Sequence, residues 1–242
     1  MKTLHLLAVG STLSLLLLSA ACSAPTSNPS VTKTSEGQTT EAPAGKEAAA
    51  ANMALVRFVN ADPKSMALEL WAGDKQAFPN VAYKGISGYE QFPRGYTQFK
   101  LRAYEGKEDL AASRRELFPG RHYTFVALPS RKGGSLLVGL SDNLGALDPG
   151  ESRIRLINAS EVDDLDLFKE GTNTRIAHGV DAGATTSFTD LSPGAIEVHQ
   201  GNKPTPMKLS MVPVIADHLY TFIVVGTKDD LQAVQIVDEI ER

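Results

Sequence analysis

One stretch of this chain occurs twice. Leu117-Phe118-Pro119-Gly120-Arg121-His122-Tyr123-Thr124-Phe125 returns as Val214-Ile215-Ala216-Asp217-His218-Leu219-Tyr220-Thr221-Phe222. Each copy passes from an apolar residue through a tight turn to a Tyr that enters a β-rich strand. A second pair lies upstream: Leu55-Val56-Arg57-Phe58-Val59-Asn60-Ala61 matches Arg153-Ile154-Arg155-Leu156-Ile157-Asn158-Ala159, and Leu68-Glu69-Leu70-Trp71 matches Leu165-Asp166-Leu167-Phe168. Two ordered matches imply two copies of one domain. The chain has 242 residues, and typical domains hold about 100–150, so there is room for both.

Within each copy the pattern is that of short strands. Val56 and Phe58, like Ile154 and Leu156, share one face, with Arg57 and Arg155 on the other. That period of two predicts half-buried strands whose arginines face water. Asn60 and Asn158 close the strands as turn residues. Turn signals follow at Ala72-Gly73-Asp74-Lys75 and Glu170-Gly171-Thr172-Asn173, then at Pro93-Arg94-Gly95 and Ser192-Pro193-Gly194. Lys107 to Arg115 reads equally as a helical turn or an edge strand. Tyr123 and Tyr220 are placed where a tyrosine corner folds its hydroxyl back to an upstream backbone group, a scaffold role. The predicted fold is all-β: two tandem immunoglobulin-like β-sandwich domains, residues 54–148 and 149–242, joined by a short link at 143–150.

The N-terminal part belongs to neither copy. Lys2, the apolar run Leu4 to Leu18 and Ser19-Ala20-Ala21 make a signal peptide over residues 1–21, and the apolar run is shorter than the ~20 residues of a spanning helix. Cys22 is the single cysteine. Leu18-Ser19-Ala20-Ala21-Cys22 resembles a bacterial lipobox, with Ser19 where that pattern prefers Leu. The resemblance implies diacylation of Cys22 and a membrane held through N-terminal lipid, since two acyl chains anchor stably where one is marginal. Ser23 in place of Asp implies the outer membrane or cell surface. Residues 22–53 then form a lipidated, disordered tether, poor in large apolar side chains.

Several motifs occur in order in the first copy: Arg57-Phe58-Val59-Asn60-Ala61-Asp62-Pro63, then Asn80-Val81-Ala82-Tyr83, Tyr89 and Pro93-Arg94-Gly95. The series resembles the bacterial domain of unknown function DUF4397. In the second copy Arg155-Leu156-Ile157-Asn158-Ala159 retains the opening, whereas Ala177-His178-Gly179-Val180 and Phe188 depart from the Asn-Val-Ala-aromatic and Tyr signatures. The resemblance implies a surface or periplasmic protein of immunoglobulin-like fold and brings no catalytic residues. It also raises the reading that Tyr89 marks a ligand surface lost from the second copy.

The residues nominate no catalyst. A formal charge of −4 provides no basic field for nucleic acid. His122, His178, His199 and His218 lack metal-ligand spacing, and Gly-x-Ser-x-Gly and phosphate-cradling loops are absent from the sequence. Glu161, Asp163, Asp164 and Asp166 can offer oxygens to calcium, but their spacing is not that of an EF-hand and reads as a solvated turn. No cofactor and no metal is expected. A binding face has more support. After Gly95, Thr97, Phe99, Leu101 and Ala103 point to the core, leaving Tyr96, Gln98, Lys100, Arg102 and Tyr104 as a candidate ligand-binding row of aromatics, cations and an amide. The expected function is that of a non-enzymatic, lipid-anchored cell-envelope protein, an interaction or spacer module whose partner is an envelope protein or glycan. The alternatives are a carbohydrate-binding accessory lipoprotein and, without a polar constellation to support it, a hydrolase or metal-dependent enzyme.

Overall fold

The computed structural model describes residues 52–239, apart from 202, 204–206, 208, 210 and 212. The signal segment, Cys22 and nearly all of the tether lie outside the described residues. In chain order the first strands are β1 (Met53–Asn60), β2 (Ala67–Ala72), β3 (Lys75–Ala82), β4 (Glu90–Pro93), β5 (Gly95–Ala103), β6 (Asp109–Leu117), β7 (His122–Pro129) and β8 (Ser135–Asp142). They are followed by β9 (Ser152–Ser160), β10 (Leu165–Lys169), β11 (Arg175–Val180), β12 (Thr189–Leu191), β13 (Ile196–Gln200), β14 (His218–Thr227) and β15 (Asp230–Glu239). The fold is all-β, and no helix occurs among the described residues.

Four sheets form, with orders β4-β1-β7-β8, β3-β2-β5-β6, β12-β9-β14-β15 and β11-β10-β13. The third and fourth repeat the first and second strand for strand, except that β6 has no counterpart among the described residues. In both copies the twice-occurring stretch enters the strand that runs parallel to the opening strand: β7 on β1 and β14 on β9. The ambiguous segment at 107–115 is resolved as strand, because β6 pairs along nearly all of β5.

Each pair of sheets encloses a core. Ala54, Val56 and Phe58 of β1 meet Leu68, Leu70, Phe99, Leu101 and Phe125 in the first sandwich. Ile154 and Leu156 of β9 meet Leu165, Leu167, Val198, Tyr220 and Phe222 in the second. The Tyr123 hydroxyl accepts the Phe118 backbone N–H at 3.1 Å, and the Tyr220 hydroxyl accepts that of Ile215 at 3.0 Å. In both copies the ring spans the turn five residues upstream, as the hydroxyl of a tyrosine corner does. Asn60 is fully buried and donates to Val81 and Ser65 carbonyls while accepting from Asp62 N–H; Asn158 does the same with Val162, Val180 and Ser160.

A third core joins the sandwiches, and it corrects the expectation for Arg57 and Arg155. Val59, Val126 and Leu128 from the sheet of β1 and β7 pack with Ile157, Ile223, Val225 and Ile236 from the sheet of β9, β14 and β15. The second face of β1 and β9, expected in water, is therefore interior. Arg57 and Arg155 are 4% and 3% exposed, and they are paired reciprocally. Arg57 reaches from β1 to Asp238 on β15 through two bonds of 2.7 and 2.6 Å, and Arg155 reaches from β9 to Asp142 on β8 at 2.5 Å. Each guanidinium also donates to a threonine on the neighbouring strand, Thr124 or Thr221. Burial acts to lower both arginines. For Arg57 the bond to Asp238 and the nearby charge of Asp142 outweigh it and the net direction is upward; for Arg155 burial prevails and the net direction is downward.

Tyr89 belongs to this interior. Its hydroxyl donates to Asp142 at 2.9 Å, and Arg57 lies over its ring at 4.6 Å. Burial, then the charge of Asp142, raises the phenol far above its ordinary range. In the second sandwich Arg155 lies over Phe188 at 4.5 Å, so the change from Tyr to Phe keeps the arginine's aromatic cover and omits one hydrogen bond. Tyr89 is thus half-buried and engaged by the arginine and aspartate of the inter-sandwich interior.

Candidate functional site

The outward row of β5 is set by alternation. Phe99 and Leu101 are fully buried, whereas Tyr96 is 65% exposed and Gln98 exposed. Ala103, expected in the core, is exposed because the strand ends there, and Tyr104 stands in the following turn. Tyr96 and Tyr104 are separated by roughly 26 Å of strand at about 3.3 Å per residue. Between them the cations are engaged by acids: Lys100 with Asp74 at 3.7 Å and Arg102 with Asp109 at 2.6 Å. Arg102 also covers Trp71 at 4.5 Å. The row is therefore not one continuous platform.

Its Tyr96 end opens onto a cleft. Edge strands β3 and β4, from opposite sheets of the first sandwich, leave a space of ≈ 440 Å³ at the start of β5. Ala77, Phe92 and Pro93 form its apolar wall; Gln76, Gln91 and Gln98 supply amides; Lys75 and Glu90 stand among the lining residues with Tyr96. Of the five candidate residues, Tyr96 and Gln98 line it, and Lys100, Arg102 and Tyr104 do not. The wall residues were not legible from sequence: Gln76 and Gln91 carry no local signal, and only the pairing of β3 and β4 into facing sheets brings them to Gln98.

Tyr96 is held in place by its cross-strand neighbours. Arg114 lies 4.8 Å from the ring centroid, and Glu116, opposite Tyr96 in the β5–β6 register, accepts from the phenol. That bond, then the Glu116 charge, raises the phenol above its ordinary value; Tyr104 is likewise raised by the charge of Glu105 and its bond to it. Amides with an aromatic ring and an apolar wall suit a ligand bearing many hydroxyls and little charge. They do not form a nucleophile, base and oxyanion constellation.

Three histidines elsewhere are engaged by carbonyl or charged groups. His218 Nδ1 contacts the Ala216 carbonyl, His199 Nδ1 the Lys203 carbonyl, and His178 Nδ1 Asp166 and Arg175. Among the described residues no serine or threonine hydroxyl is bonded to these three rings. The four acids proposed as oxygen donors do not converge: Asp163 pairs with Arg131 and the Ala182 N–H, while Asp164 and Asp166 gather with His178.

Residues 54–168 match a DUF4397 domain, a domain of unknown function. The DUF4397 match covers the first sandwich and continues through β9 to Phe168 in β10. No curated protein matches the chain. Among solved structures, the Bacillus anthracis TIE protein aligns at 8% identity and a TM-score of 0.25 over 79% of this chain; the chain spans 32% of that protein's length. Family 41 carbohydrate-binding modules from streptococcal virulence factors align at 14% identity and a TM-score of 0.23, covering 74% of this chain and 95% of theirs. A family 26 carbohydrate-binding module of Eubacterium rectale Amy13K aligns at 8% identity and a TM-score of 0.23, covering 78% and 98%.

Proposed function

We propose that this protein is a non-enzymatic binding module of the cell envelope, held to the membrane by lipid on Cys22, that takes a neutral glycan in the cleft beside Tyr96. The observation that carries this reading is the lining of the cleft: one exposed tyrosine, three glutamine amides and an apolar wall. Sugar hydroxyls pair with amides, and the C–H face of a sugar ring packs on an aromatic ring or proline, so the same few side chains orient and desolvate one ring. The first sandwich is the binding unit. The second, which we read as a diverged copy of the same domain, stiffens it through the reciprocal arginine–aspartate pairs and the shared apolar core. The proposed location is the outer membrane or cell surface.

Binding of the purified protein to an array of neutral and charged glycans tests this reading. Retention of neutral oligosaccharides over charged ones is expected. An array without a retained neutral glycan overturns the glycan assignment and leaves the spacer role of the paired sandwiches.

A further inference from the structure

The second sandwich carries a separate cluster on the outer face of its β11-β10-β13 sheet. Opposite Asp166 of β10 the register of β11 is irregular between Ala177 and Val180. The extra residue aims both the His178 ring and the Gly179 N–H at the same carboxylate, a use typical of bulges. His178 Nδ1 lies 2.8 Å and the Gly179 nitrogen 2.7 Å from Asp166 Oδ1. Asp164, two residues before Asp166, brings a third ligand group, and one donor atom from each of Asp164, Asp166 and His178 falls within 4.8 Å of the others. Gly201 keeps this arrangement open, since a Cβ there would come 2.5 Å from Asp164 Oδ2.

Two features show that the protein's own groups do not satisfy the cluster. Asp166 is fully buried, yet among the described residues its Oδ2 has no hydrogen-bond partner; Arg175 Nε stands at 3.5 Å from it. A buried carboxylate oxygen without a donor is costly. His178 Nδ1 faces both Asp166 Oδ1 and Arg175 Nη1, the latter at 3.0 Å. A ring nitrogen is either one donor or one acceptor. As a donor it serves Asp166 and opposes the guanidinium; as an acceptor it serves Arg175 and opposes the carboxylate. A metal cation between the groups removes both conflicts, because the imidazole lone pair and Oδ2 then face the same positive charge while Oδ1 keeps its bond from Gly179.

We propose that Asp164, Asp166 and His178 bind a divalent transition-metal cation, with Arg175 as an internal competitor for the site. Two carboxylates and one imidazole are a donor set suited to zinc or a neighbouring first-row ion. Ligand atoms at about 2.0–2.2 Å from such an ion lie at most about 4.4 Å apart, so a contraction of about half an ångström closes the site. The Gly179 N–H orients Asp166 from behind, as outer partners of metal ligands do. Arg175, partly exposed and lying 5.2 Å from the centroid of Phe168, can withdraw along that ring when the ion enters.

Calorimetric titration of the metal-free whole protein with zinc chloride tests this, alongside His178→Ala, Asp164→Asn and Arg175→Gln. Both replaced ligands are at exposed positions, so folding can be checked by circular dichroism in the same samples. One zinc per chain is expected, weakened at least about tenfold by His178→Ala or Asp164→Asn and tightened by Arg175→Gln. Zinc binding undiminished in His178→Ala places the ion elsewhere and overturns the proposal. So does a failure of both the wild type and Arg175→Gln to bind zinc.

Discussion

Replacing Asp142 with alanine is expected to destabilise the folded chain by about 3–5 kcal/mol, the range for removing one member of a buried ion pair. Asp142 sits on β8, its side chain wholly inaccessible, and accepts from three donors: Tyr89 at 2.9 Å, Thr124 at 2.6 Å and Arg155 at 2.5 Å. Its loss leaves the Arg155 charge in an interior where, among the described residues, the backbone carbonyl of Ser141 and the Thr221 hydroxyl still accept from it. The cost arises mainly from that stranded charge, so the pair need not be stabilising relative to an apolar replacement. Asp142→Leu combined with Arg155→Met is therefore expected to recover much of the loss. Urea unfolding of the two variants measures it; a midpoint for Asp142→Ala equal to that of the wild type contradicts the account of the inter-sandwich interior. Arg57→Met is expected to cost less, because its partner Asp238 keeps a 12% exposed side chain and can be solvated.

Phe125→Ala is expected to cost about 3–5 kcal/mol, through lost burial and the cavity left behind. Phe125 is fully buried on β7, and its ring centroid lies 4.0 Å from that of Phe99. The ring also occupies the space over Gly139 of β8, where a Cβ would stand 2.7 Å from a ring carbon. Neighbours on two strands, Phe99 of β5 and Gly139 of β8, are shaped around this one side chain, so little collapse into the cavity is available. A denaturant midpoint within error of the wild type contradicts the assignment of Phe125 to the centre of the first core.

The twice-occurring stretch placed Tyr123 and Tyr220 at the start of strands, and both residues do enter strands, in the same register with β1 and β9. Alternation placed Phe99 and Leu101 correctly for the same reason: each depends only on neighbours in its own strand. Arg57 and Arg155 were misread as solvent-facing because a single strand cannot reveal what covers its second face. A signal was present in Val126-Ala127-Leu128 and Ile223-Val224-Val225, runs without alternation that mark strands buried on both sides. The contacts of Tyr89 were hidden in the same way, its partner Asp142 being 53 residues away. The cleft and the Asp164–Asp166–His178 cluster were beyond local reading: one needs two edge strands brought face to face, and the other a bulge that turns His178 toward the neighbouring strand.

Tyr96 is proposed to organise the glycan site. Titration of wild type and Tyr96→Ala with a neutral oligosaccharide retained on the array tests it most directly, with urea unfolding confirming that the exposed substitution leaves the fold intact. Loss of one stacking face is expected to weaken binding about tenfold or more, at ~1–3 kcal/mol for an aromatic contact in a desolvated site. Equal affinities for the two proteins contradict the claim.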